Sequence, residues 1–438
     1  MGSFVPTTPS ERQQMLKAIG VGSVEELFRD VPQEMRIDGY LDLPSGKSEM
    51  ETLESVSALA EKNHVFRTCL RGAGSYRHYI PAAVKAIVNR EEFVTAYTPY
   101  QAEISQGILQ AIFEYQTMLC ELTGMDVSNA CVYDGGTAAA ESITMCRDRK
   151  RTKAYVSATT DPQVIEVMKT YCFGSDVELT VVPQKNGRTD PEALRSLLGQ
   201  DAACFYVQQP NFYGLLEEAE LLSEITHAAG AKYVMGVNPI SLAILKTPAE
   251  CGADVAVGEG QPLGLDTAFG GPYLGFMTAS SAMMRKLPGR IVGQTVDTEG
   301  EIGYVLTLSA REQHIRREKA SSNICSNEQL CAFTAAVYLS AMGEKGLRQA
   351  ATLCTSKAHY FAQQLEEKLG WKRVHPGEFF HEFVTECPDT EKALAALAKR
   401  DILGGLPVEG GILWCVTEVV TKERLDEAVA ILQEVSCG

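Results

Sequence analysis

No stretch of the 438-residue chain approaches the roughly 18 consecutive apolar residues of a membrane-spanning helix, which argues against a helical membrane protein. Basic charge is also short. Forty Lys and Arg stand against 56 Asp and Glu, and the net charge of -16 would repel a phosphate backbone or an anionic bilayer. Neither nucleic acid nor membrane is an expected partner. None of the thirteen cysteines forms a C-x-x-C pair, so neither a zinc site nor a small secreted disulfide framework is expected. They read as reduced thiols, mostly in the core. The opening "MGSFVPTTPSERQQ" lacks both the basic-then-apolar pattern of a secretory leader and the Arg-rich pattern of a transit peptide. Pro6 stands where a myristoylation signal requires Ser or Thr, so a cytoplasmic location is expected.

What is present is the balance of a globular protein: 45% hydrophobic and 22% charged residues, in a chain long enough for two or three domains. The start reads as a helical arm over residues 1–65, with Ser10 as a helix cap and Gly20 and Gly22 dividing two short helices. A large α/β domain is expected over 66–325. There the segments "ACVYD", "KAYVS", "VELTVVP", "ACFYVQ", "KYVMGV", "ADVAVG" and "YLGFMT" alternate with helical stretches, the pattern of a mostly parallel sheet between helices. Before them, Ile104, Ile108, Ile112, Tyr115 and Leu119 share one face of a long helix that Gly124 closes. Residues 326–438 read as a smaller α+β domain, with strands near "EFFHEFVTE" and "GILWCVTEV" around the helix "TEKALAALAKR".

The stretch "GADVAVGEGQPLGLDTAFGGPYLGF" is a buried strand followed by a glycine-rich turn. In pyridoxal phosphate enzymes with a large α/β domain, such a strand often delivers the lysine that holds the cofactor as a Schiff base. Here no lysine occurs between Lys246 and Lys286. Gln261 stands near the expected place and has no basic nitrogen, while Lys246 reads as a surface residue. A second part is absent too. In "KYVMGVNPIS", Asn238 ends a strand where aminotransferase-type enzymes carry an aspartate that keeps the pyridine ring protonated.

Other segments are richer in polar groups than packing requires. "YDGGTAAAES" passes from a strand end through two glycines into a helix expected from about Thr137. Gly135, Gly136 and Thr137 suit either a phosphate or carboxylate cradle or a tight strand-to-helix turn. "RGAGSYRHY" supplies Arg71, Tyr76, Arg77 and His78. "REQHIRREK" supplies Arg311, His314, Arg316 and Arg317, of which Arg311 and His314 would share a helical face. These groups suit carboxylate or phosphate recognition, or ion pairing with the chain's own excess acid. "AYTPYQAE" adds Tyr97, Thr98, Tyr100 and Glu103 before the long helix, as packing, interface or substrate groups.

Taken together, "VTAYTPYQAEISQGILQAIFEYQTM", "NACVYDGGTAAAE", "VNPISLAIL", "GADVAVGEGQPLG", "FGGPYLGF" and "REQHIRREKASSNICSN" resemble the P-protein (glycine decarboxylase) family of the glycine cleavage system. Within it, the chain is similar to the first subunit of the split, two-subunit form. The resemblance implies an aminotransferase-like fold of type I, and a pyridoxal phosphate held by a lysine on the second subunit rather than here. It also implies a heterotetramer with two copies of each subunit. That assembly decarboxylates glycine and transfers the aminomethyl group to the lipoyl arm of H-protein. No catalytic residue is expected in this chain alone, and no metal. By the same resemblance, Tyr97, Thr98, Tyr100, Glu103 and His78 would wall the partner's active site. Arg311 and His314 would orient charge, and Cys325 would be either a site thiol or a core thiol. Two rival readings stand: a self-sufficient pyridoxal phosphate enzyme with a displaced lysine such as Lys246, and a non-catalytic scaffold.

Overall fold

Apolar runs rich in β-branched and aromatic residues, such as Ala202–Gln209 and Lys232–Val237, alternate with amphipathic segments through the middle of the chain. The computed structural model describes residues 6–37, 39, 41–324 and 328–436, and gathers those runs into one seven-stranded sheet. Its spatial order is Val127–Ser128, Gly275–Ala279, Val255–Glu259, Lys232–Val237, Ala202–Gln209, Lys153–Ser157 and Leu179–Val182. From Val255–Glu259 to Leu179–Val182 all neighbours are parallel. Gly275–Ala279 runs antiparallel to both of its neighbours. "ACVYD" is not a strand: it makes one bridge, Val132 to Gly275, before turning into a helix. The edge strand comes slightly earlier, at Val127–Ser128.

Both faces of the sheet are covered. Tyr155, Phe205, Val207, Tyr233 and Met235 pack on one face with Tyr115 and Leu119. Their neighbours Ala154, Val156, Cys204, Tyr206 and Val234 point to the other face, against Ala138, Ala139 and Ile143 of the helix Gly135–Cys146. The two-residue side-chain period of a strand produces this division. At about 1.5–3 kcal/mol per large side chain, the two layers dominate the energetics of the fold.

The long helix spans Gln106–Thr123 and ends at Gly124 in the left-handed conformation, φ +70°. Ile112, Tyr115 and Leu119 are buried on it and Ile108 partly so. Ile104, expected on the same face, precedes the helix and is exposed. Further on, Gln329–Leu369 leads to a three-stranded antiparallel sheet of Glu382–Thr385, Gly411–Cys415 and Leu406–Val408. That sheet packs Phe383 and Trp414 against Phe361 and the helices Thr390–Ala398 and Lys422–Ser436.

The chain divides into two compact units, one ending at His64 and one beginning at Val65. In the first, the helix Pro9–Ile19 is capped by Thr8, not by the expected Ser10. Pro9 fits the first helical position, where its missing N–H costs nothing, and Thr8 and Glu11 form a reciprocal capping box. The second expected short helix is one 3-10 turn, Glu25–Phe28. Among the described residues of this unit none is buried. No described helix of the chain is long and apolar enough to cross a membrane.

Candidate functional site

Parallel strands leave a crevice beyond their carboxyl ends, and the helices that follow them point their N-termini into it. Here Gln209, Val237 and Glu259 end three adjacent strands, while Asp134 and Asp161 cap the helices Gly135–Cys146 and Pro162–Gly174. Between them lies a cleft of about 410 Å3, lined among others by Tyr76, Asp134, Gly135, Gly136, Asp161, Tyr206, Asn238, Glu259 and Tyr273. Among the described residues no lysine lines it.

Two N–H groups of the turn that suits an anion cradle, those of Gly135 and Thr137, are engaged by acids of the chain itself. The helix begins at Gly135, two residues before the expected Thr137, with Asp134 as its cap. Thr137 N–H donates to Asp134 Oδ1 at 2.6 Å, and Gly135 N–H donates to Glu259 Oε2 at 2.9 Å. The other oxygen of Glu259 accepts the N–H groups of Gln261 and Leu274 at 2.8 and 2.9 Å. Burial pushes the Glu259 carboxyl up to about 7, against the pull of these three donors. Gly275 is required nearby, because a Cβ there would sit 2.2 Å from Asp134 O.

The expected place of the lysine is also occupied. Gln261 is buried and its amide is spent on backbone: Oε1 accepts Tyr76 N–H at 2.9 Å, and Nε2 donates to Tyr76 O at 2.9 Å and Leu265 O at 2.8 Å. Tyr76 is fixed from its other end, its hydroxyl donating to Glu382 Oε2 at 2.8 Å. Asn238 Oδ1 accepts Ile240 N–H at 2.9 Å, leaving Nδ2 buried without a hydrogen-bond partner. Lys246 stands outside the cleft, exposed and paired with Glu220 at 2.7 Å.

The remaining sequence candidates lie elsewhere. Tyr97, Thr98 and Glu103 are exposed on the segment before the long helix, Tyr97 at 92%. Tyr100 is buried, with the Arg290 guanidinium 3.7 Å from its ring centroid. His78 faces inward, its Nδ1 2.7 Å from Glu418 Oε2, the same oxygen that accepts from Cys354 Sγ at 3.3 Å. Its Nε2 has no hydrogen-bond partner. Because His78 and Cys354 meet on one carboxylate oxygen, this trio is a hydrogen-bond knot joining the 71–81 loop to the helix Gln329–Leu369 and to the turn that follows the strand Gly411–Cys415. Arg311 and His314 do not share a helix. Arg311 ends a 3-10 turn, half-buried and bonded to Leu287 O, whereas His314 is exposed on the next short helix, 3.4 Å from Glu312. Cys325 lies outside the described residues.

Glu259, Asp134 and Asp161 are not among the residues that the sequence motifs single out. Their signal was position: each stands at a strand end or helix start on the rim where such folds bind ligands.

A mostly parallel sheet with this cleft defines the aminotransferase-like fold of type I, the fold of many pyridoxal phosphate enzymes. A sphingosine-1-phosphate lyase from Burkholderia pseudomallei shares it at a TM-score of 0.66 and 13% identity, covering 91% of this chain and 92% of its own. Far nearer is a solved glycine decarboxylase (P-protein) of the glycine cleavage system, in inhibitor-bound form. It is 42% identical with a TM-score of 0.92, and the match covers 99% of this chain and 100% of that one. Proteins named probable glycine dehydrogenase (decarboxylating) subunit 1 are equally close. That of Desulfitobacterium hafniense is 46% identical over 99% of this chain and 100% of its own. That of Carboxydothermus hydrogenoformans is 48% identical over 98% and 99%. The family model of the glycine cleavage system P-protein matches residues 2–432, and the chain belongs to that family.

The residues present in the cleft do not fit pyridoxal phosphate. A Schiff base needs an amine, a protonated ring nitrogen needs a carboxylate partner, and a phosphate needs donors not already engaged by acids. Gln261, Asn238 and Glu259 supply none of these.

Proposed function

We propose that this chain is the first subunit of a two-subunit glycine decarboxylase. A second subunit, bearing the Schiff-base lysine and its pyridoxal phosphate, completes the enzyme. Together they release CO2 from glycine and pass the aminomethyl group to the lipoyl arm of H-protein. The cofactor supplies the electron sink for decarboxylation. The observation that carries the reading is a cofactor-type cleft in which the lysine, aspartate and phosphate positions are all taken by groups that cannot serve. Full-length similarity to proteins named subunit 1 supports it.

In this reading the chain's own residues form a wall for the partner's site. Tyr97, Thr98 and Glu103 stand exposed where they can meet another chain, and Tyr100, packed under Arg290, anchors the segment that carries them. His78 holds the preceding loop in place through Glu418. His314 orients charge at the surface and Arg311 from beneath it. Cys325 stays in the proposal as a site thiol on its motif alone. The proposed assembly is a cytoplasmic heterotetramer with two copies of each subunit.

The test is exchange of labelled bicarbonate into the glycine carboxyl, with lipoylated H-protein and pyridoxal phosphate. Exchange is expected only when both subunits are mixed. Exchange by this chain alone would overturn the reading.

A further inference from the structure

A helix N-terminus with two glycines is a ready place for a phosphate, yet here a side chain of the same chain is seated in it. Gly135, the first residue of the helix, gives its N–H to Glu259 Oε2, and Asp134 takes the N–H of Thr137. The fit is close. A Cβ on Gly135 would come within 2.9 Å of the Glu259 Cβ and 3.0 Å of its backbone nitrogen, so helix start and strand end touch without a gap between them. Glu259 is itself anchored by Gln261 and Leu274, which fixes the carboxylate where it is rather than leaving it to swing into the cleft. Asp161 adds a further acidic group to the same wall.

We propose that Glu259 is a built-in anion that occupies the cradle in place of a phosphate, and so makes the cleft refuse phosphate esters while remaining open. The chemistry is substitution of like for like: a carboxylate accepts from the same kind of main-chain donors that a phosphate oxygen would use. The inference deepens the reading given above and rests on it in one respect, that the cofactor is held by another chain.

The experiment titrates the isolated full-length chain with inorganic phosphate at about pH 8, where carboxylates are ionised, and follows binding by calorimetry. Wild type is expected to show no saturable binding. Glu259→Ala, which empties the cradle, is expected to gain a saturable site that sulfate competes for, and no gain in a folded Glu259→Ala would overturn the proposal. Asp134→Asn removes the same amount of charge, keeps the capping oxygen, and leaves Glu259 seated. It is expected to behave as wild type. Equal gains in Asp134→Asn and Glu259→Ala would overturn the proposal, because charge rather than occupancy would then be the barrier. Saturable phosphate binding by wild type would overturn it without any variant, even if Glu259→Ala fails to fold. Pyridoxal and pyridoxal phosphate separate this inference from the functional reading. A borohydride-reducible adduct formed equally by both in wild type would sink that reading alone, whereas one that requires the phosphate would sink both.

Discussion

At the scale of single residues, burial pushes the carboxyls of Glu141 and Glu259 up to about 7, the opposite direction to the exposed Glu92, which its hydrogen bond to Arg90 holds down. Glu141, buried in the helix Gly135–Cys146, accepts from Ser322 Oγ at 3.0 Å, and burial pushes it up to about 7. Its folded value lies above the unfolded one, so its favourable contribution is complete below the unfolded pKa and is lost as pH rises through about 7. Glu141→Gln keeps the acceptor oxygen and removes the charge. Its melting temperature relative to wild type is therefore expected to rise between about pH 5 and pH 8, by the equivalent of up to about 3 kcal/mol. Thermal melts of both proteins across that range check the sign; a gap that narrows would refute it. Tyr97 provides the opposite case, a large side chain that supports nothing in its own fold. Tyr97→Ala is expected to change stability by less than about 0.5 kcal/mol. The same variant should lower bicarbonate exchange by the mixed subunits by about tenfold or more, as a misplaced wall of a reacting site does. Denaturation of the chain alone, set beside exchange in the mixture, separates the two effects.

At the scale of elements, the helix Gln329–Leu369 is interrupted at Gly343, where φ is +58° and ψ 179°. Nothing lies within 4 Å of a Cβ built there, so steric crowding plays no part and only the dihedral counts. Gly343→Ala is expected to cost about 1–3 kcal/mol, read as a lower denaturant midpoint with an unchanged slope. Elements also show what sequence can and cannot carry. The parallel strands were legible because their apolar runs are buried on both faces, as the alternation of Phe205 and Tyr206 between opposite layers illustrates. "ACVYD" misled because it is apolar for a different reason. Ala130 and Val132 are buried, but their N–H groups go to Arg290 and to Gly275 in turn, so no ladder forms. The site was legible through its missing parts, the lysine and the aspartate. Glu259 was not, because its partner Gly135 stands 124 residues earlier and only the folded sheet brings the two together.

At the scale of the whole molecule, the two units differ in kind. The unit from Val65 onward contains four apolar clusters, whereas the described residues before it bury no side chain. Removing residues 1–64 is expected to leave the melting temperature of the remainder within a few degrees of the full chain, since no core is lost. Scanning calorimetry of the shortened chain checks this, and a large drop would mean the early helices support the rest after all.

The occupied cleft has a consequence for how such a chain can change over time. A lysine introduced at Gln261 would forfeit the hydrogen bonds that clasp Tyr76 and Leu265, and it would still face Glu259 seated on Gly135 N–H and a neutral amide at Asn238. Each such substitution would lower stability before any activity was gained, because the groups it displaces hold backbone together. In the proposed two-subunit enzyme, the absence of a lysine here would thus behave as a ratchet, held closed by the hydrogen bonds that fill its place.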